Sequence, residues 1–278
     1  MYVDFHIHTN YSDGGKSFTQ ILDECIQKNI KCISITDHNT YESCKLKIQQ
    51  EKVKIINGME IDVKYKEYLF HMLLYNFDLN SKLLKEFYVK NRKHEIYNFN
   101  KNINILKKKY NITIDKNIKR KFIKENNYFD RVRLNNLLVK SGYCKTPQDA
   151  FHKYTKELDN TKRMSISMET LFKIASDSNA IVSFAHPFRY GISMDEIERV
   201  ILELKEKYGL RVIEAINNRQ TVHQEKNLIK FCEENDLLIS AGSDSHYKLG
   251  MTPTEFVGSV HGKKICERNI TFLKLLKK

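Results

Sequence analysis

A chain of 278 residues with 41% hydrophobic side chains can bury a large core, which excludes a disordered chain and a small domain held together by disulfides or zinc. Lys and Arg outnumber Asp and Glu by 47 to 34, and the resulting +13 points toward an anionic substrate or a polyanion. The excess is local, because residues 91–127 alone carry eleven Lys and Arg against three Asp and Glu.

From the N-terminus, β-rich runs are expected at Tyr2–His8, Lys31–His38, Val53–Val63 and Glu67–Tyr75, and again at Ala180–Pro187, Leu210–Asn217 and Leu237–His246. Helical periodicity falls between most of them, at Ser17–Asn29, Tyr41–Glu51, Ser167–Asn179, Ser193–Tyr208 and Thr221–Asn235. Strands alternating with helices predict a parallel α/β architecture closed into a barrel. About a hundred residues separate the fourth strand from the fifth, more than one crossover requires. Helical patterns at Lys82–Lys109, Arg131–Lys140 and Pro147–Tyr154 therefore predict a small helical subdomain, residues 78–165, inserted into a domain spanning 1–278.

No apolar run reaches the roughly 18 residues of a membrane span, and the opening MYVDFHIH lacks the layout of a signal peptide. A cytoplasmic protein with no membrane partner is expected. The six cysteines form no CxxC pair and are read as reduced.

Polar residues collect at the strand ends: His6 and His8 on the first, Asp13 just after it, Asp37 and His38 on the second, Glu60 on the third and His71 on the fourth. His186 ends the fifth, and Asp244 with His246 ends the seventh. A His-x-His pair on a strand points both imidazoles to one face, and Asp244-x-His246 repeats that geometry. Imidazoles and carboxylates without cysteine suit divalent transition metals, and this many donors exceeds one tetrahedral site. A multinuclear centre with a bridging carboxylate accommodates them.

The segments DFHIHTNYSDGG, SITDHNT, GMEIDV, FAHPFRY and AGSDSH, in this order, resemble the motifs of the polymerase and histidinol phosphatase (PHP) family. These are metal-dependent phosphoesterases on a distorted seven-stranded barrel. DRVRLNNLLVKSGYCKTPQDAFHKY resembles the inserted subdomain of the stand-alone branch acting on nucleoside 3′,5′-bisphosphates and RNA 5′ ends. The resemblance implies an α/β fold, a distorted (β/α)7 barrel with an inserted small helical subdomain, and three divalent metal ions drawn from Mn, Fe or Zn. The first would be held by His6, His8, Glu60 and Asp244, the second by Glu60, His71 and His186, and the third by Asp13, His38 and His246. Glu60 would bridge, and Glu60 and Asp244 would be catalytic as well as ligating. Asp37 is read as an acid that supports the site from behind by orienting an imidazole, or as a structural acid.

Such a centre hydrolyses phosphate esters by metal-activated hydroxide. Arg189 is the first candidate for a catalytic, phosphate-binding guanidinium, with Arg131 and Arg133 of the inserted segment as further substrate-binding candidates. His223 could contact substrate and protonate the leaving oxygen; capping the following helix is the competing reading. Arg133, Asn136 and Asn39 depart from the residues common at these motif positions. The expected substrate is a phosphorylated small molecule of nucleotide type, or short RNA or DNA. The corresponding activity is a nucleoside bisphosphate phosphatase or a 5′-to-3′ exonuclease. The alternatives are a histidinol-phosphate phosphatase and a non-catalytic binding module.

Overall fold

The computed structural model describes residues 1–46, 50–126, 128–158, 163–246 and 256–277. It divides into two compact units, one formed by Met1–Lys85 with Ser165–Lys278 and the other by Glu86–Met164.

In the first unit the sheet path runs β1 (Tyr2–Ile7), β2 (Ile30–Ile35), β3 (Lys54–Tyr65), β4 (Tyr68–Tyr75), β6 (Ile181–Phe184), β7 (Val212–Ile216) and β8 (Leu238–Ala241). A short β5 (Ile166–Ser167) pairs with β3 off this path. The strands are almost wholly apolar where both faces are covered, as in β7 and β8, whose every residue is buried. Most neighbours are parallel, but β4 runs antiparallel to both β3 and β6. The parallel pattern expected of the sheet is interrupted there because only Lys66 and Glu67 separate β3 from β4, too few for a crossover. The turn forces Lys66 to φ 53° and sets Asp62 opposite His71 in the ladder.

Four of the described helices accompany these strands: α1 (Phe18–Gln27), α6 (Met168–Asp177), α7 (Met194–Tyr208) and α8 (Val222–Glu234). Each starts at a hydroxyl cap, Ser17, Ser167, Ser193 or Thr221, and in α1 and α8 the glutamine three residues later completes a reciprocal capping box. The expected helix at 41–51 is represented by one short 3₁₀ turn at Glu42–Lys45; residues 47–49 lie outside the described residues.

Beyond β8 the chain returns to β1. Asp244 N donates to His6 O at 2.9 Å, His8 N donates to Ser245 O at 3.1 Å, and Ile7 bridges Ser245 in parallel. The segment after a small hairpin, β9 (Ser259–Val260) and β10 (Lys263–Lys264), also joins β1, with Val3 N donating to Ile265 O at 3.0 Å. Asp4 ties these pieces together. Its buried carboxylate accepts from His6 N and Ser243 N through Oδ1, and from Ser243 Oγ and Gly258 N through Oδ2.

The second unit comprises α2 (Lys82–Tyr110) beyond its first turn, α3 (Lys116–Glu125), α4 (Arg131–Lys140), α5 (Pro147–Ala150) and a single π turn at Phe151–Thr155. Phe99, Ile103, Leu106, Phe122, Phe129 and Leu137 form its core with neighbouring aliphatics. Sequence periodicity misses α3 because KNIKRKFIKE offers only Ile118, Phe122 and Ile123 as apolar positions. Its start is nonetheless signalled by Asp115, which accepts from Asn117 N and Ile118 N.

Removing Asp4 strands buried donors on three segments at once. Asp4→Ala should lower unfolding free energy by about 3 kcal/mol or more, read from urea midpoints. A loss under about 1 kcal/mol would show that the carboxylate does not lock β1 to the later segments.

Candidate metal centre

The candidate ligands converge because strand ends and the turns after them meet in the first unit. His6 lies in β1 and His8 just after it, while Glu60 in β3 and His71 in β4 are diagonal neighbours, His71 pairing with Asp62 in the ladder. His186 and Asp244 hold left-handed backbone, φ 27° and 53°. For residues with a side chain beyond Cβ this is strained, and such strain persists only where surrounding contacts impose it. Close backbone approach imposes a further constraint: a Cβ on Gly242 would come within 2.1 Å of His6 Cβ, and one on Gly14 within 2.2 Å of His8 O.

Three overlapping donor groups result: His8, Asp13, His38 and His246; His6, His8, Glu60 and Asp244; and His38, Glu60 and His71. Glu60 Oε2 lies 3.4 Å from His6 Nε2, 3.2 Å from His8 Nε2 and 3.1 Å from His38 Nδ1. Asp244 Oδ1 lies 3.3 Å from His6 Nε2, His8 Nε2 and His246 Nδ1. Both oxygens are buried and, among the described residues, accept no hydrogen bond. Donor atoms sharing a cation at bonds of about 2.1 Å sit roughly 3.0–3.5 Å apart, so these spacings fit ligation. His186 Nε2 reaches Glu60 Oε1 at 2.8 Å, next to His71 Nδ1 at 2.7 Å. The geometry thus groups His38 with Glu60 and His71, and adds His8 to Asp13, His38 and His246.

The electrostatics are set by this crowding. Burial opposes charge on Glu60, yet His38, His71 and His6 hold its carboxyl well below the usual range. Asp244 is held low in the same way against burial, by His246 and His6. Burial would lower His246, but Asp13 and Asp244 outweigh it and push it up to about 9. His6 is also raised, against burial, by Glu214, Glu60 and Asp244. Burial takes His186 the other way, down to about 4.

Several residues support the cluster from behind, and of these Glu214 lies outside every motif. Glu214, the one acid in β7, is fully buried, accepts from His186 N at 2.7 Å and sits 2.8 Å from His6 Nδ1. It turns His6 Nε2 toward the carboxylates. Asp62, two residues beyond Glu60 and so on the same face, lies 3.0 Å from His71 Nε2. Asn39, at φ 52°, donates to Asp62 Oδ2 and accepts from Asp62 N. An aspartate there could not donate, which gives the departure from the motif a purpose. Asp37 takes the structural alternative: it accepts from Thr9 N, Thr9 Oγ1 and Ser12 Oγ, fixing the loop before Asp13.

Among the arginines, exposed Arg189 brings Nη1 to 3.5 Å from His71 Nδ1. Arg219, which no motif marks, donates from Nε to Asp244 Oδ2 at 2.9 Å. Arg131 and Arg133 belong to the other compact unit. There Arg131 donates to Leu158 O and lies over Phe151, while Arg133 pairs with Asp130 and lies over Tyr128. His223 is exposed on the first turn of α8, where Asn227 Nδ2 donates to its Nε2 at 3.2 Å. That places it in none of the three donor groups. The six cysteines are all free, and no described helix is long and apolar enough to cross a membrane.

A PHP domain family model matches residues 4–217. The chain is 22% identical over 263 residues to a 5′-3′ exoribonuclease of Haemophilus influenzae, covering 89% of this chain and 90% of the relative. It is 21% identical over 252 residues to the 5′-3′ exoribonuclease Rnm of Escherichia coli, covering 87% and 84%. Among solved structures it resembles an amidohydrolase from Chromobacterium violaceum, with TM-score 0.72, 19% identity and coverage of 100% and 96%. It also resembles a metal-dependent phosphoesterase described as putative from Bifidobacterium adolescentis, with TM-score 0.70, 20% identity and coverage of 96% and 93%.

Metal uptake should release protons. With its pKa raised to about 9, the His246 imidazole is protonated at pH 7.5 in the metal-free protein and must lose that proton to ligate. Affinity for Mn²⁺ should therefore climb from pH 6 toward pH 9, roughly tenfold per unit for each proton displaced. Titration calorimetry in buffers of different ionisation enthalpy checks this; heats independent of buffer would contradict it.

Proposed function

The chain belongs to the PHP domain family and is a metal-dependent phosphoesterase, and on that premise we propose that it removes nucleotides from the 5′ end of short RNA. The observation carrying the reaction class is the buried junction of His6, His8, His38, Glu60 and Asp244, where two carboxylate oxygens meet imidazoles with no hydrogen donor. The RNA end as substrate is supported by the two relatives named as 5′-3′ exoribonucleases, aligned along most of both chains.

Residues of these overlapping donor groups would hold three divalent cations, each imidazole serving one of them and the Glu60 carboxylate, common to two groups, able to serve two. Bound there, divalent cations supply Lewis acidity and make bound water a nucleophile near neutral pH. The chain's residues do the rest. Glu214 and Asp62 hold His6 and His71 in one ring orientation. Arg189 and Arg219 present guanidinium groups at the cluster, suited to bidentate capture of a phosphate. Because Arg219 already holds Asp244 in place, it positions a ligand as well as carrying charge toward substrate.

The decisive assay is incubation of Mn²⁺-reconstituted protein with a 5′-phosphorylated ten-nucleotide RNA and mass spectrometry over time. Successive loss of mononucleotides from the 5′ end is expected, and Glu60→Gln should abolish it together with metal content. Release of inorganic phosphate from a nucleoside 3′,5′-bisphosphate with the RNA left intact would overturn the exonuclease reading in favour of a small-molecule phosphatase.

Arg219→Ala loosens Asp244, so it should lower bound metal at limiting Mn²⁺, and kcat/KM should stay about 100-fold down even at Mn²⁺ high enough to restore the wild-type metal content by elemental analysis. Unchanged kcat/KM would remove Arg219 from substrate binding.

A further inference from the structure

The charge of this protein is partitioned between its units almost completely. Residues 86–164 hold twenty Lys and Arg against eight Asp and Glu, net +12 of the chain's +13, whereas the remaining residues hold twenty-seven against twenty-six. The metal centre lies in the nearly neutral unit, so its chemistry does not account for the basic one.

Part of that charge is laid out along one helix face. Lys90, Lys93, Tyr97, Lys101 and Lys108 follow one another on α2 at spacings of three, four, four and seven, which keeps them within one stripe. All five are exposed, and from Lys90 to Lys108 the stripe runs about 27 Å at 1.5 Å per residue. Among the described residues, no acid pairs with the four lysines. The acid that lies on α2 between them, Glu95, is buried and accepts from Phe129 N. A merely solvated helix face mixes signs, as α7 does with Asp195, Glu196, Arg199 and Glu203.

Tyr97 stands at the centre of the stripe with 68% of its surface exposed. The unit's core does not need it, since Phe99, Phe122 and Phe129 fill that role in mutual contact. Lysines that track phosphates around an exposed aromatic platform are the elements of a single-strand binding surface, because an unpaired base can stack where a duplex base cannot.

We propose that this face of α2 is a binding track for single-stranded RNA, with Lys90, Lys93, Lys101 and Lys108 neutralising backbone phosphates and Tyr97 stacking on a base. The track rests on the exonuclease reading for its choice of polyanion, and it deepens that reading by assigning single-stranded RNA a binding face on the second unit.

Full-length protein in chelator, which stops turnover, is titrated with a fluorescent ten-nucleotide single-stranded RNA, and anisotropy is read from 50 to 200 mM KCl. The double variant Lys93→Ala/Lys101→Ala should flatten the slope of log affinity against log salt by about 1.4, at roughly 0.7 for each phosphate left without its lysine. Tyr97→Ala should weaken binding about tenfold, and Tyr97→Phe should restore it. Hydrolysis of a 5′-phosphorylated dinucleotide by the Mn²⁺-loaded variants should match wild type, which also establishes that they are folded. Unchanged affinity and salt slope would overturn the track, even with RNA hydrolysis intact. Equal binding of a polyglutamate peptide, insensitive to Tyr97→Ala, would overturn it in favour of an acidic protein partner. Failure of wild type to cleave any RNA while the track still binds would instead count against the exonuclease reading alone.

Discussion

Two carboxylates, Glu60 and Asp244, are held in the interior with an oxygen each that no donor among the described residues satisfies. A buried carboxylate is costly, and the imidazoles gathered around these two offset that cost by charge, with hydrogen-bond contacts from His71 and His186 to Glu60 Oε1 adding to it. Much of the first unit can be understood as a frame that keeps this arrangement from relaxing. β4 runs backward so that His71 reaches Glu60 and Asp62 together. The segment after β8 folds onto β1 so that Asp244 meets His6 and His8.

The frame restricts backbone freedom. His186 and Asp244 take conformations that favour glycine, and Gly242 is fixed by the approach of His6. Carbonyl and carboxylate partners on neighbouring strands hold these residues there: Glu214 takes the His186 amide, and His6 O takes the Asp244 amide. Orientation of the donors and stability of the fold therefore share the same hydrogen bonds, as Asp4 shows most directly.

Sequence alone reveals the convergence of donors, because alternation along a strand and the order of the motifs leave little freedom for His6, His8, Glu60 and Asp244. It also marks the helical insertion, through the length between Tyr75 and Ala180. What it hides is pairing direction and distance-dependent roles. The reversal of β4 follows from a two-residue turn that carries neither Gly nor Asn, so ordinary turn chemistry gives no warning. Glu214 and Arg219 act through residues 208 and 25 positions away, and a lone acid in an apolar strand is the faint trace the former leaves. Tyr97 differs from Phe99 only in the side of α2 on which it falls, a distinction drawn by the core and not by composition.

The lacing of β1 has a consequence for how the chain comes to be folded. β1 finds β2 within thirty-odd residues, but its other partners, around Ser243, Ser245 and Ile265, come about 240 residues later. At a synthesis rate of about 5–20 residues per second, the first strand spends roughly ten seconds or more as an unpaired edge. Edges of this kind invite wrong pairing and make folding slow when the closing contacts are distant in sequence. His6 and His8 therefore meet their later partners only once residues 243–265 have been made, so that gathering of the donors and completion of the sheet are a single late event.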